Sequence, residues 1–306
     1  MIIGQETCRM TDKTPAPQKT QPRLQQLQCL DSQGLHRMAY WEWGDPANPR
    51  VLVCVHGLSR QGRDFDTLAA AMSDVYRVVC PDVVGRGRSD WLADPMGYTI
   101  PAYVADMVSL LARLDAETLH WVGTSMGGLI GLGLAALPGS PVARLVLNDV
   151  GPTLEPASLQ RIGNYLGQPA HWASLDEAAD ALLAISTGFG PHSRAQWLAL
   201  TRPQLKPEGA GFKPHCDPAI ALPFRGITPD LARAGEALLW HSYDRISCPT
   251  LLLRGAESDL LSPATAQAMA GRGPKARLVE FAGVGHAPTL VQPEQVQVVR
   301  EFLLAP

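Results

Sequence analysis

The fold is decided by Leu119-His120-Trp121-Val122-Gly123-Thr124-Ser125-Met126-Gly127-Gly128-Leu129-Ile130. A short apolar run ends at Gly123. A serine follows with a glycine two residues to either side, and a Gly-, Ala- and Leu-rich helical pattern begins at once. This is the pattern of a strand, a very sharp turn and a helix, with Ser125 at the tip. Glycine at 123 and 127 lets strand and helix approach closely, because neither carries a Cβ. The hydroxyl is then thrust out of a sheet at a helix N-terminus, where backbone N–H groups can stabilise a developing oxyanion. Alone, this spacing is a weak signal in a chain with 28 glycines, so its meaning depends on partners elsewhere.

Outward from this turn, strand and helix alternate. Toward the N-terminus, residues 24–30 and 36–43 read as two strands joined by the turn Asp31-Ser32-Gln33-Gly34. Val51-Leu52-Val53-Cys54-Val55 is a continuous apolar run, expected of a strand buried on both faces. It stops at His56-Gly57-Leu58. A helix over 64–72, a strand over 76–80, a loop Pro81–Asp90 and a helix over 100–114 lead to the serine turn. The next strand is 144–148. Such alternation predicts a parallel sheet with helices on both faces. Residues 153–245 break it: helices near 155–166, 175–187, 193–200 and 228–240 are joined by Pro- and Gly-rich connections, and no strand is expected. The alternation resumes with a strand at 249–255, a helix at 263–270, a strand at 276–281 and a helix at 292–304. Residues 1–22, rich in Gln, Thr, Lys and Pro, read as a disordered tail, with Met10 an alternative start.

The 306 residues suffice for a substantial core, and a formal charge of −3 argues against a nucleic-acid footprint. The six cysteines show neither C-x-x-C nor metal-ligand spacing. They are expected reduced, which suits the cytoplasm. No run approaches the length of a membrane span, and the first residues hold no signal-peptide h-region.

In an open parallel sheet, functional residues collect beyond the carboxyl ends of the strands. Leu58 follows 51–55, Ser125 follows 119–122, Asp259 follows 250–254, and His286 follows 276–281. A nucleophile, an acid and a base thus occur in that order, each just past a strand end.

With these motifs in hand, the chain resembles the α/β-hydrolase family from about residue 24 to 304. The resemblance rests on His56-Gly57, Gly123-Thr124-Ser125-Met126-Gly127, Arg254-Gly255-Ala256-Glu257-Ser258-Asp259 and Gly283-Val284-Gly285-His286. It implies an α/β fold with a mostly parallel eight-stranded sheet and a helical cap inserted after the sixth strand. The core would be 23–152 and 246–306, and the cap 153–245. Ser125 would be the nucleophile, His286 its base and Asp259 the acid that orients the imidazole. Asp149, past the strand 144–148, is the rival acid, since some members of this fold place theirs there. Asp259 is favoured for its Glu-Ser-Asp loop. The backbone N–H groups of Leu58 and Met126 would form the oxyanion hole. His56 is expected to shape that loop. Arg60 and Arg63, just after it, are candidates for binding a carboxylate or polar end of the substrate.

The resemblance implies a cytoplasmic serine hydrolase that cleaves carboxylic esters (a small ester, a lactone or a hydroxyacid oligomer) through an acyl-enzyme. No cofactor and no metal are expected. The partner would be a small-molecule ester, with neither nucleic acid nor a membrane span, and a homodimer is the assembly left open. Thioesterases and C–C bond hydrolases share the same three residues and stand as alternatives. A non-catalytic small-ligand binding protein is a third reading. A serine at the elbow argues against the dehalogenases and epoxide hydrolases, which carry aspartate there.

Overall fold

The two apolar faces of one strand show how the molecule is layered. Val51 to Val55 of β3 (Arg50–Val55) are all fully buried. Val51, Val53 and Val55 enter one hydrophobic cluster, while Leu52 and Cys54 enter another. Successive side chains of a strand point to opposite faces, so a continuous apolar run means core on both sides. The computed structural model describes residues 21–226 and 228–306, without the side chains of Phe224 and Pro229. Nearly all of the tail expected at residues 1–22 lies outside the described residues.

The elements in chain order begin with β1 (Arg23–Asp31), β2 (Gly34–Trp43), β3, α1 (Asp66–Met72) and β4 (Arg77–Asp82). There follow α2 (Ile100–Leu114), β5 (Thr118–Thr124), α3 (Met126–Ala135) and β6 (Val142–Asn148). The central segment carries α4 (Pro156–Tyr165), α5 (Leu175–Ile185), α6 (Arg194–Thr201), β7 (Leu205–Glu208), β8 (Gly211–Pro214), α7 (Ala221–Arg225) and α8 (Pro229–Asp244). The chain closes with β9 (Thr250–Gly255), α9 (Pro263–Gly271), β10 (Arg277–Phe281) and α10 (Pro293–Leu304).

Eight strands form one sheet in the order β1-β2-β4-β3-β5-β6-β9-β10. β2 runs antiparallel to both β1 and β4, and every other pairing is parallel. The β1–β2 turn is pinned by Asp31, whose Oδ1 accepts from the backbone N–H of Gln33 (2.7 Å) and Gly34 (3.0 Å). The chain order reverses around β3, so β3 and β5 are sheet neighbours, paired from Arg50↔Thr118 to Val55↔Gly123. That adjacency puts the loop after β3 beside the turn after β5, at a topological switch point.

The central segment differs from expectation in two respects, the first being the short helix α7, which is not expected. Its other helices lie where the apolar spacing places them, but β7 and β8 form a separate antiparallel hairpin. The sequence Lys206-Pro207-Glu208-Gly209-Ala210-Gly211 disguises it, because proline and glycine normally mark irregular chain. A two-stranded edge tolerates both. Phe212 of this hairpin also bridges Trp172, which fastens it to the chain before α5. Among the described residues, no helix is long and apolar enough to cross a membrane.

Candidate active site

The turn after β5 is as tight as its glycines require. A Cβ on Gly123 would lie 2.2 Å from the Gly127 carbonyl oxygen, and one on Gly127 would lie 2.0 Å from that of Val55. Both positions therefore exclude any side chain. Ser125 itself has φ 51° and ψ −115°, a conformation that costs an L-residue on the order of 1–3 kcal/mol. The surroundings hold it there. Ser125 N–H donates to Asn148 O at 3.0 Å, and the Trp121 indole N–H donates to Gly127 O at 3.1 Å.

The strain presents the hydroxyl to a histidine. Ser125 Oγ lies 3.1 Å from His286 Nε2. The other ring nitrogen, Nδ1, lies 2.7 Å from Asp149 Oδ2. The acid in contact with His286 is thus Asp149, which corrects the expectation of Asp259. Asp149 directly follows β6, the sheet neighbour of β5, and is fully buried. Its backbone is left-handed (φ 55°), and its N–H donates to Leu253 O at 2.8 Å. Its carboxylate also accepts from Gly255 N–H at 2.9 Å and Ser258 Oγ at 2.7 Å. The Gly-Ala-Glu-Ser-Asp loop after β9 therefore serves the acid through Gly255 and Ser258. Asp259 turns outward, half exposed, into a two-pronged ion pair with Arg161 of α4 at 2.8 and 3.0 Å.

Asn148, one residue before the acid, ties the pieces together. Its amide donates to Thr124 Oγ1 (2.9 Å) and to Pro288 O (2.8 Å), joining the ends of β5 and β6 to the histidine loop. Gly285 N–H donates to Gly188 O in the central segment at 2.7 Å. The apolar neighbourhoods of these residues in sequence carry no sign of such roles.

The loop after β3 closes the other side of Ser125. A Cβ on Gly57 would stand 3.8 Å from Ser125 Cβ. The backbone N–H groups of Leu58 and Met126 have no partner among the described residues, and Met126 opens α3, where the helix dipole favours negative charge. His56 shapes this loop. Its Nδ1–H donates to Gly57 O at 2.7 Å and its Nε2 accepts from Val83 N–H at 3.0 Å. Burial drives its pKa down to about 3, so the ring is neutral and both nitrogens are used.

The two arginines after this loop have other work. Arg60 borders the cavity described below, but its guanidinium is engaged by Asp64 at 2.6 and 2.8 Å and by Leu200 O at 3.3 Å. It also stacks 5.5 Å from the Phe189 ring centre. Arg63 does not border the cavity. It pairs with Asp66 at 2.6 Å and lies over Trp41, 4.8 Å from the ring centre. Arg63 is therefore corrected to a structural residue, whereas Arg60, at the cavity border, also ties the loop after β3 to the central segment.

Ser125 and His286 open onto a cavity of about 760 Å³ between the sheet and the central helices. That is within the roughly 300–1,000 Å³ of sites for small organic ligands. Ile162 and Tyr165 of α4, Leu166 just after it, Leu182 and Ile185 of α5, and Trp172 give it a largely apolar wall. Tyr165 and Trp172 face this space, whereas Trp197 is buried with Ala179 and Leu200, and Tyr243 is packed in the main core. Elsewhere, Cys29, His36 and Asp106 form the one group of metal-ligand types within 4.8 Å found among the described residues. His36 Nε2 is there 3.0 Å from both Asp106 oxygens, which fastens β2 to α2. The five described cysteines are free thiols; Cys8 lies outside the described residues.

A serine on a strained strand–helix turn, a histidine and a buried aspartate in line, and two unpartnered N–H groups, one at a helix start and one in the loop after β3, define a serine hydrolase-type site on an α/β sheet. The model of the alpha/beta hydrolase family matches residues 52–297, and the chain belongs to that family. It is 55% identical over 285 residues to a 3-hydroxybutyrate-oligomer hydrolase from Cupriavidus necator, across 92% of this chain and 97% of that one. An alpha/beta hydrolase structure from Novosphingobium aromaticivorans superposes with a TM-score of 0.80 at 36% identity, covering 92% of this chain and 98% of that one. A Rickettsia typhi protein of the same fold reaches a TM-score of 0.83 at 28% identity, with the same coverage.

Proposed function

We propose that this protein hydrolyses the ester bonds of short 3-hydroxybutyrate oligomers through an acyl-enzyme on Ser125. The observation that carries the reading is the continuous Ser125 Oγ–His286 Nε2, His286 Nδ1–Asp149 Oδ2 chain at 3.1 and 2.7 Å. It opens onto a cavity with room for a chain of several hydroxyacid units. The likeness to the Cupriavidus necator oligomer hydrolase supports this choice of ester over others.

The geometry supports the following steps. Asp149 accepts from His286 Nδ1–H, which leaves Nε2 as the basic nitrogen facing Ser125. Ser125 Oγ attacks the ester carbonyl as its proton passes to Nε2. The tetrahedral oxyanion is held by the N–H groups of Leu58 and Met126. Each such donor contributes about 3–4 kcal/mol to the rate in related chemistry. His286 then returns the proton to the departing hydroxyl end of the oligomer. Water, deprotonated by the same nitrogen, releases the acyl group as a free acid and restores Ser125.

The apolar walls suit the methyl-bearing backbone of such an oligomer. The five free thiols support a reducing, cytoplasmic setting. The test is a panel of 3-hydroxybutyrate dimers, trimers and tetramers against simple esters of varied acyl length, with wild type and Ser125→Ala. Hydrolysis of the oligomers with the best kcat/KM, abolished by Ser125→Ala, is expected. Turnover of simple esters alone would overturn the substrate class, and activity surviving the substitution would overturn the mechanism.

A further inference from the structure

Arg86 is a cation with no exposed surface, and it belongs to no ion pair among the described residues. Burying an uncompensated charge is strongly unfavourable unless its hydrogen bonds are well satisfied. Its partners are therefore informative. Nε donates to Leu58 O at 2.9 Å. Nη1 donates to Val84 O at 2.7 Å and to Tyr103 Oη at 2.9 Å. Nη2 reaches Met126 Sδ at 3.7 Å. The rings of Tyr103 and Tyr98 lie 5.1 and 5.6 Å from the guanidinium carbon. One side chain thus touches both Leu58 and Met126, the two residues beside Ser125 whose N–H groups have no partner among the described residues.

The backbone of the same residue holds the central segment. Arg86 bridges Cys216, Gly87 N–H donates to His215 O at 2.9 Å, and Asp217 N–H donates to Gly85 O at 2.7 Å. Cys216 borders the cavity. Asp217 Oδ2 in turn accepts from Tyr98 Oη at 2.6 Å.

We infer that Arg86 is a positioning residue that sets the spacing of the two oxyanion donors and couples it to the seating of the 215–217 segment over the cavity. The inference rests on the serine-hydrolase reading above. Holding the Leu58 carbonyl fixes the orientation of the loop that carries its N–H. The guanidinium also places positive charge behind the oxyanion without touching substrate. Preorganised donors count most where water is excluded, and a misplacement of about 1 Å can cost about 100-fold in rate.

The experiment compares wild type, Arg86→Gln, Arg86→Lys, Tyr103→Phe and Ser125→Ala on the 3-hydroxybutyrate trimer. It also measures inhibition by an alkyl trifluoromethyl ketone, which adds to serine to form an oxyanion, and by the corresponding secondary alcohol, which does not. Arg86→Gln is expected to lower kcat about 30- to 100-fold and to weaken the ketone in parallel, with KM and alcohol inhibition within about threefold. Arg86→Lys, which keeps the cation but cannot span Leu58 O and Val84 O together, should fall between. Tyr103→Phe should lose about 3- to 10-fold in kcat alone. If Arg86→Gln does not fold, the lysine and Tyr103→Phe variants decide. Wild-type kcat and ketone inhibition in folded variants would overturn the inference, as would equal losses for ketone and alcohol. Trimer turnover surviving Ser125→Ala would instead defeat the underlying reading, so the two failures are distinguishable.

Discussion

Exchanging the acid is the most discriminating perturbation, because two aspartates lie past strand ends and only one touches His286. In Asp149→Asn the amide oxygen can still accept from Gly255 N–H, so the buried fit is largely kept. The amide N–H₂ then faces His286 Nδ1 in place of an acceptor at 2.7 Å. The imidazole responds by carrying its proton on Nε2, the nitrogen that must take the proton of Ser125. A wrong tautomer of this kind lowers kcat by about 10⁴ in triads of the same geometry. At about 1.36 kcal/mol per decade that is about 5 kcal/mol of lost transition-state stabilisation. Asp259→Asn removes only a half-exposed pair with Arg161, worth less than about 1 kcal/mol of stability. The assay is kcat and KM for the 3-hydroxybutyrate trimer with a thermal melt of each variant. Asp149→Asn should be nearly inactive with KM little changed, and Asp259→Asn should stay within about threefold of wild type. The reverse pattern, with both variants folded, would refute the reasoning.

Gly127→Ala should destabilise the protein by about 3 kcal/mol or more and abolish activity, since its Cβ would sit 2.0 Å from Val55 O; a melt and a trimer assay read both. Arg63→Ala should leave kinetics on acidic and neutral esters unchanged. Arg60→Ala, which leaves partly buried Asp64 unpartnered on that side, should lower the melting temperature and slow both ester classes alike; selective loss on acidic esters would instead give it a role in binding a carboxylate. His120 is buried beneath Tyr76 Oη at 2.9 Å, and burial lowers its pKa from 6.5 to about 4. The unfolded chain therefore binds a proton there that the folded chain does not, so this contribution is complete above pH 6.5 and is lost as pH falls toward 4. At about 1.36 kcal/mol per pH unit the loss is at most about 3 kcal/mol, and denaturant titrations should show a shallower slope in His120→Gln across that window. An unchanged slope would contradict it.

How legible the molecule is from its residues depends on whether a feature is local. Strand β3 announces itself through five apolar residues, and the serine turn through Gly123 and Gly127, because each constraint acts over a few residues. The acid does not. Asp149 and Asp259 both follow apolar strands, and choosing between them requires the sheet order, which sets β6 beside β5 and leaves β9 one strand further out. It also requires the left-handed backbone at Asp149, which aims a buried carboxylate at a histidine 137 residues away. Arg63 misleads for a related reason. Proximity in sequence to the loop after β3 says nothing about Asp64 and Asp66, which take up the Arg60 and Arg63 guanidinium groups within one helical turn. Arg86 hides in a Gly-Arg-Gly-Arg loop that reads as turn scaffolding. In part it is so: Asp82 accepts from Gly62 N–H and Arg88 N–H at 2.8 Å. The β7–β8 hairpin is masked by its own Pro207, Gly209 and Gly211.

The account stands on covalent catalysis by Ser125, and rapid-quench mass spectrometry of the intact enzyme mixed with 3-hydroxybutyrate trimer tests that most directly. A population carrying a hydroxybutyryl ester, mapped by peptide analysis to Ser125 and absent from Ser125→Ala, is predicted. Steady trimer hydrolysis with no adduct, continuing in Ser125→Ala, would contradict it.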